Sequence, residues 1–419
     1  MLSTINNAFK IPELRYRLMF TLSMIAVFEV GTYIPLPGVT TDILNQFFSG
    51  SAGSLFSFFD VFSGGALKRF SIFALTVTPY INAAIIIQLL TSVLEPLKKL
   101  SQEGDEGRKK IEKYVRWLTL ALALVQSTAF STFAMQTIKT SLIPNVAVFL
   151  ADVVTMTAGS MFLIWIGEKI TEFGIGNGVS ILIFAGIVNR YPSYIGQLGL
   201  SGNPISAVFI AATFVAMVIL IVYVQKAEYR IPVMYSAQVR GRRMYGNQSV
   251  HIPIKVNQSG VLPIIFASAI VVIPGIIGTM FHVQWLTDFF SSSSPFYLII
   301  YTVLVIFFTY FYSTVIFDPE QITNNIQSYG GHIPGYRPGA ETKRKLTSSL
   351  SKLAFIEAFY LAAVAILPYL VNMLTNIKNI WVGGTSLLIA VGVALDIMQQ
   401  MEAHMLVRHY DGFTKKAKV

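Results

Sequence analysis

The chain has 419 residues, 54% apolar and 12% charged, with a mean hydropathy of +0.61, which excludes a soluble globule of ordinary composition. It has no cysteine, so disulfides, thiolate zinc sites, iron–sulfur clusters and cysteine nucleophiles are excluded, and its five histidines are scattered. A net charge of +10 could suit nucleic acid or anionic lipid, but in so apolar a chain the first explanation is the bias that orients membrane spans.

In chain order, Met1 to Phe20 shows no short apolar core followed by a small-residue cleavage site, so the first span is expected to be retained. Apolar blocks follow at 18–34, 72–94, 115–135, 146–166, 175–188, 205–224, 260–280, 296–317, 353–374 and 381–398. Most approach the roughly 20 residues that a helix needs to cross hydrocarbon. They predict an all-α polytopic membrane protein with ten spans packed as one domain. Residues 55–70, before the second span, are amphipathic but too short and polar to cross. Read alone they favour a helix on the outer interface over one folded back into a cavity, and Gly64 and Gly65 would let them bend.

The fifth block is short enough to be re-entrant, and charge decides the question. With a cytosolic N-terminus and ten crossings, only Lys68, Arg69, Lys139, Arg190 and Lys378 of the 31 basic residues face outward, leaving 26 in cytosolic segments. Removing the fifth crossing would put the basic loop at 226–257 outside. The block therefore crosses, both termini are cytosolic, and its shortness predicts a helix surrounded by protein or water. The cytosolic loops at 226–257 and 318–352 are longer than connectors need, which points to protein docking.

No phosphate-cradling loop, His-Glu-x-x-His metal motif or Gly-x-Ser-x-Gly elbow is present, so an enzyme, a cofactor and a metal site are not expected. Energy for transport would come from a gradient or from a nucleotide-hydrolysing partner. Glu29, Glu357 and Asp396 fall within or near spans, either as structural pairs or as coupling groups of an ion-driven solute transporter. Only the short fifth block, opened by Gly174-Ile175-Gly176-Asn177-Gly178, resembles a helix interruption, and Gly and Asn serve equally as ordinary loop punctuation.

Five stretches then become specific. They are Phe62-Ser63-Gly64-Gly65-Ala66-Leu67 continuing to Pro79-Tyr80-Ile81 and Ile85 to Leu90; Glu103 to Ile111; Gly167 to Gly178; Pro334-Gly335-Tyr336-Arg337-Pro338-Gly339; and Gly383 to Ile389. In this order and spacing the chain resembles the SecY family, channel subunits of the bacterial Sec protein translocon (SecYEG), over essentially its full length. The resemblance implies two pseudo-symmetric halves of five helices, 1–200 and 201–419, around a central hourglass pore. It also implies a short plug helix within 55–70, including Phe62, Ser63, Gly64, Gly65, Ala66 and Leu67, which reverses the interfacial preference.

The same resemblance places an aliphatic pore ring at Val77, Ile81, Val179, Ile183, Ile265 and Ile389. Val77 with Ile81, and Val179 with Ile183, are spaced to stack on one helix face, which on its own suits core or lipid equally. A ring of branched apolar groups can yield around an extended polypeptide and offers ions no fixed partner. Asn82 and Gln88 either line a lateral gate or make interhelical hydrogen bonds. Arg337, in its Pro- and Gly-rich loop, with Arg242 and Arg243 matches the surface that engages the SecA motor or the ribosome, through carboxylates or ribosomal RNA phosphates. The implied partners are SecE, SecG, SecA, the ribosome, signal-bearing preproteins and membrane lipids, in the bacterial cytoplasmic (inner) membrane. The function implied is a passive channel that passes preproteins and releases apolar segments sideways. An insertase or scaffold without an aqueous pore is a third reading.

Overall fold

Each of the ten apolar blocks overlaps a helix. The computed structural model describes residues 11–36, 63–137, 145–200, 204–235, 238–240, 243–245, 249–280, 283–290, 294–316, 319–375 and 384–416. Within these, the first seven helices are α1 (Pro12–Thr32), α2 (Thr78–Val93), α3 (Glu95–Gln102), α4 (Asp105–Thr137), α5 (Asn145–Phe173), α6 (Gly178–Asn189) and α7 (Tyr191–Leu200). After α8 (Pro204–Lys226) come β1 (Glu228–Tyr235), β2 (Gln238–Arg240), β3 (Arg243–Tyr245) and β4 (Ser249–Lys255). The chain continues through α9 (Leu262–Met280), α10 (Gln284–Phe289), α11 (Pro295–Ile316), α12 (Pro319–Ser328), β5 (Gly331–His332), α13 (Ala340–Thr375) and α14 (Gly384–Lys416).

Among the described residues, five helices are long and apolar enough to cross a bilayer: Val146–Phe173, Ala207–Lys226, Pro295–Ser328, Ala340–Val371 and Gly384–Met405. The chain is thus a multi-pass membrane protein. The apolar stretch of Ala207–Lys226 is only 17% buried and leaves Val215, Ile219 and Tyr223 bare, whereas that of Gly384–Met405 is 61% buried. The first needs lipid or a partner against it, and the second is held by protein.

The second block starts its helix later than its apolar run. Residues 63–77 form successive turns, with Phe70 and Thr76 at φ +43° and +52°, and α2 begins only at Thr78, with Pro79 in its first turn. Proline in the first turn forgoes no helical hydrogen bond, which is why the helix can start there. At Leu94 the chain bends by 99° into polar α3.

Residue contacts divide the chain into two compact units. One comprises Met1–Ala207, Gly275–Ser292 and Ile389–Val419, and the other Val208–Pro274 and Ser293–Leu388. In the first, Phe73 stacks on Phe28 of α1 and on Phe162 of α5, with ring centroids 6.3 and 6.1 Å apart. Helices α4 and α5 are tied by Ser127 Oγ and Thr157 Oγ1 at 3.1 Å. In the second, Tyr297 and Tyr301 of α11 lie against Tyr369 of α13, and Phe266 of α9 stacks on Phe308 at 5.5 Å.

The two long loops hold more structure than solvated connectors. Strands β4, β1 and β5 form one antiparallel sheet in that order, with Pro232 opposite His251 and Met234 opposite His332. Alternate residues Ile231 and Val233 bury one face with Ile254, Ile326, Ile333, Leu346 and Leu350. Both loops and the start of α13 thereby share one small core.

Candidate functional site

The ring candidates lie at the start or in the first two turns of their helices. Val77 precedes α2 and is 3% exposed, and its carbonyl accepts from Ile81 N at 3.0 Å. Just before it, the Thr76 carbonyl accepts from Ser160 Oγ on α5 at 3.0 Å. Val179 and Ile183 lie one turn apart on α6, whose start is capped by Asn177 Oδ1 accepting from Ser180 N at 3.2 Å.

The Gly167 to Gly178 stretch earns its glycines by close approach. A Cβ at Gly178 would overlap the Gly167 carbonyl oxygen and stand 2.8 Å from Ile170 Cβ. Gly178 N instead donates to Thr171 Oγ1 at 2.8 Å. The short helix is therefore clamped against the end of α5, with its aliphatic face set by backbone contact. Ile183 and Ile389 are buried and Ile81 is half-buried. Five of the six ring candidates belong to the first unit, and Ile265, in the first turn of α9, belongs to the second.

Of the plug candidates, Phe62 lies outside the described residues. Ser63 to Leu67 form turns rather than a helix, with Ser63 Oγ accepting from Leu67 N at 3.1 Å. Gly64, at φ +63°, is so close to α6 that a Cβ would be 3.0 Å from Gly186 Cα. Ser63, Ala66, Leu67 and Phe70 are at most 2% exposed. An amphipathic helix on the outer interface would leave a bare face. This part of the segment is buried inside the first unit instead. Its exit is held to the end of α1, where Leu36 N donates to Phe70 O at 2.8 Å and Ile72 N to Ile34 O at 3.0 Å.

On α2, Asn82 is half-buried and Gln88 is exposed. Arg337 is exposed on a loop turned by Gly335 and Gly339, at φ +83° and +99°. Its own backbone is fixed at both ends: Arg337 N donates to Glu341 Oε2 at 3.0 Å, and Thr342 Oγ1 donates to Arg337 O at 2.9 Å. Arg243 opens β3 opposite Arg240, and Arg242 lies outside the described residues.

Two of the three span carboxylates have structural occupations. Glu29 Oε2 accepts from Asn189 Nδ2 at 2.6 Å, joining α1 to the end of α6. Glu357, 1% exposed on α13, accepts at Oε1 from both the backbone N and the Oγ of Ser259, at 2.7 and 2.6 Å. Asp396 is exposed beside a cavity of about 260 Å³ that it lines with Asn177 and Gln400. The sequence reading passed over Asp152, a buried carboxylate on α5 whose Oδ1 lacks a hydrogen-bond partner among the described residues. An aspartate inside an apolar block was signal enough to name it.

A family model described as SecY matches residues 71–398. The chain is 51% identical to the protein translocase subunit SecY of Thermotoga maritima, over 100% of this chain and 99% of that one. It is similar in fold to a solved protein-conducting channel, with a TM-score of 0.64 at 17% identity, covering 95% of this chain and 96% of that one. Sec61 in a canine ribosome–channel complex from the endoplasmic reticulum gives a TM-score of 0.61 at 16% identity, with the same coverage. With the family model spanning most of the chain and a full-length relative at that identity, the chain belongs to the SecY family.

Proposed function

We propose that the chain is the protein-conducting subunit of a bacterial translocase, through which unfolded preproteins cross the cytoplasmic membrane and apolar segments leave sideways into lipid. Membership of a translocase-subunit family carries this reading, and the clamped aliphatic face of α6 supports its mechanism. In it, ten spans form two halves, 1–200 and 201–419, with both termini cytosolic. Val77, Ile81, Val179, Ile183, Ile265 and Ile389 form a gasket that grips no sequence because it hydrogen-bonds to none. The segment containing Ser63 to Leu67 is the plug. Its turns are closed by local hydrogen bonds, such as Ala66 N to Ser63 O and Leu67 N to Ser63 Oγ, and contain two glycines, so it can leave its seat against Gly186 without unravelling a helix.

Asn82 and Gln88 line the lateral gate beside α2. SecA or a ribosome docks on Arg242, Arg243 and Arg337, with SecE and SecG completing the membrane complex, and a signal sequence opens the gate. Arg337 suits such docking because its backbone is fixed before a partner arrives, so little ordering remains to be done on binding. The ion-coupled transporter reading loses two of its three candidates, since Glu29 and Glu357 each hold two helices or segments together.

The test is reconstitution of the complete complex in liposomes with SecA and a fully soluble preprotein. Protease-protected preprotein is the expected result. Gradient-driven uptake of a small solute without partners, and no protected preprotein, would overturn the reading.

A further inference from the structure

We infer that Glu357 is a positioning residue that transmits docking at the cytosolic face to the pore ring, by clasping the head of α9. The inference rests on the ring and docking assignments proposed above. Every part of the relay lies within the second unit.

The relay begins at Arg337, whose carbonyl is bonded by Thr342 in the first turn of α13. That helix runs without a break from Ala340 to Thr375. Its cytosolic turns bury Leu346 and Leu350 in the core shared with the sheet, so a displacement of the docking loop is delivered to the helix rather than lost in a flexible connector. About 26 Å along the same helix, at 1.5 Å per residue, stands Glu357. Its Oε1 holds Ser259 through two hydrogen bonds. Six residues later α9 carries Ile265, the ring candidate in this unit.

The clasp has the properties of a movable contact. Glu357 is 1% exposed, yet its Oε2 has no partner among the described residues, and neither do the buried Asn257 Oδ1 and Tyr360 Oη on the two segments it joins. A half-satisfied buried carboxylate is a costly way to cement two segments, since apolar contact would do so more stably. The unpartnered Tyr360 hydroxyl, three residues along α13, is a donor that gives the carboxylate an alternative arrangement to its hold on Ser259, and a two-state element biased from either end is what coupling requires. The pairing also spans 98 residues of sequence, so it links segments the chain does not otherwise connect locally.

The chain contains no cysteine, so Ile265→Cys introduces a single reactive thiol. In the complete complex in liposomes, its maleimide labelling rate is measured with and without SecA, in the parent and with Glu357→Ala or Ser259→Ala added. SecA affinity is measured in parallel. The parent should change its labelling rate on docking. Glu357→Ala, which removes both hydrogen bonds to Ser259, should shrink that change by about tenfold or more, the equilibrium shift that even one hydrogen bond to a charged group carries, while SecA affinity stays unchanged. Ser259→Ala, which keeps the backbone bond and most closely preserves the fold, should shrink it less. A merely structural role would lower stability and leave the docking-dependent change intact, and that result overturns the relay alone. No change at Ile265 in the parent would overturn both the ring assignment and the relay.

Discussion

Gly178→Ala tests how rigidly α6 presents its aliphatic face. The new methyl would overlap the Gly167 carbonyl oxygen and stand 2.7 and 2.8 Å from Gly167 C and Ile170 Cβ. Carbon atoms in contact prefer about 3.5–4.0 Å, so α5 and α6 must separate by roughly 1 Å. Overpacking of this kind costs about 1–3 kcal/mol. The same movement stretches the bond from Gly178 N to Thr171 Oγ1, worth roughly another 1 kcal/mol. A total of about 2–4 kcal/mol should lower the unfolding temperature of the purified complex clearly. Because α6 carries Val179 and Ile183, it should also raise the resting ion leak of closed channels. The control is Gly196→Ala: a Cβ there meets nothing within 4 Å, and a mid-helix alanine should be neutral or stabilising by up to about 1 kcal/mol. If Gly178→Ala melted and leaked like the parent, the clamp between α5 and α6 would be wrong.

Three further outcomes are expected. Leu346→Ala, which removes a fully buried side chain from the core shared by both long loops, should cost about 2–5 kcal/mol locally and weaken SecA binding without touching the proposed docking surface, as read by limited proteolysis and binding. Arg337→Glu should impair SecA-driven secretion while the protein remains folded in the membrane, because it reverses an exposed charge whose backbone contacts do not involve its side chain. Normal secretion would remove Arg337 from the docking surface. Glu29→Gln keeps an acceptor for Asn189 and should leave preprotein transport intact, whereas Glu29→Leu should lower stability. Loss of transport in Glu29→Gln would restore a charge-dependent role.

Periodicity and charge carried most of the helical layout, because a bilayer imposes a length and an orientation that a single chain must display. They failed where local backbone chemistry or distant pairing decides. The apolar run at 72–94 concealed the turns before Thr78, because hydropathy is blind to the positive φ of Thr76 and to Pro79 opening the helix. The basic loop at 226–257 was singled out for docking by its length and charge, but its strands were missed, although Ile231 and Val233 alternate with Arg230, Pro232 and Met234 as a half-buried strand should. Glu357 was legible as an unusual residue, but its grip on Ser259 was not, since no spacing rule relates positions so far apart. The glycines at 64 and 178 were visible as parts of motifs, and only coordinates show that Gly186 and the Gly167 carbonyl occupy the space a side chain would need.

The most direct test of a polypeptide-conducting pore is a translocation intermediate stalled in the membrane, with photoreactive probes at Ile81 and Ile183. Val77 and Val179 stand at the starts of α2 and α6, with Ile81 and Ile183 one turn further along, and the starts are held by Ser160 Oγ donating to the Thr76 carbonyl and by Gly178 N donating to Thr171 Oγ1. Both probes should therefore crosslink to the moving chain, while a probe at bare Val215 on α8 should not. Crosslinks absent from Ile81 and Ile183 with the chain demonstrably in transit would contradict the account.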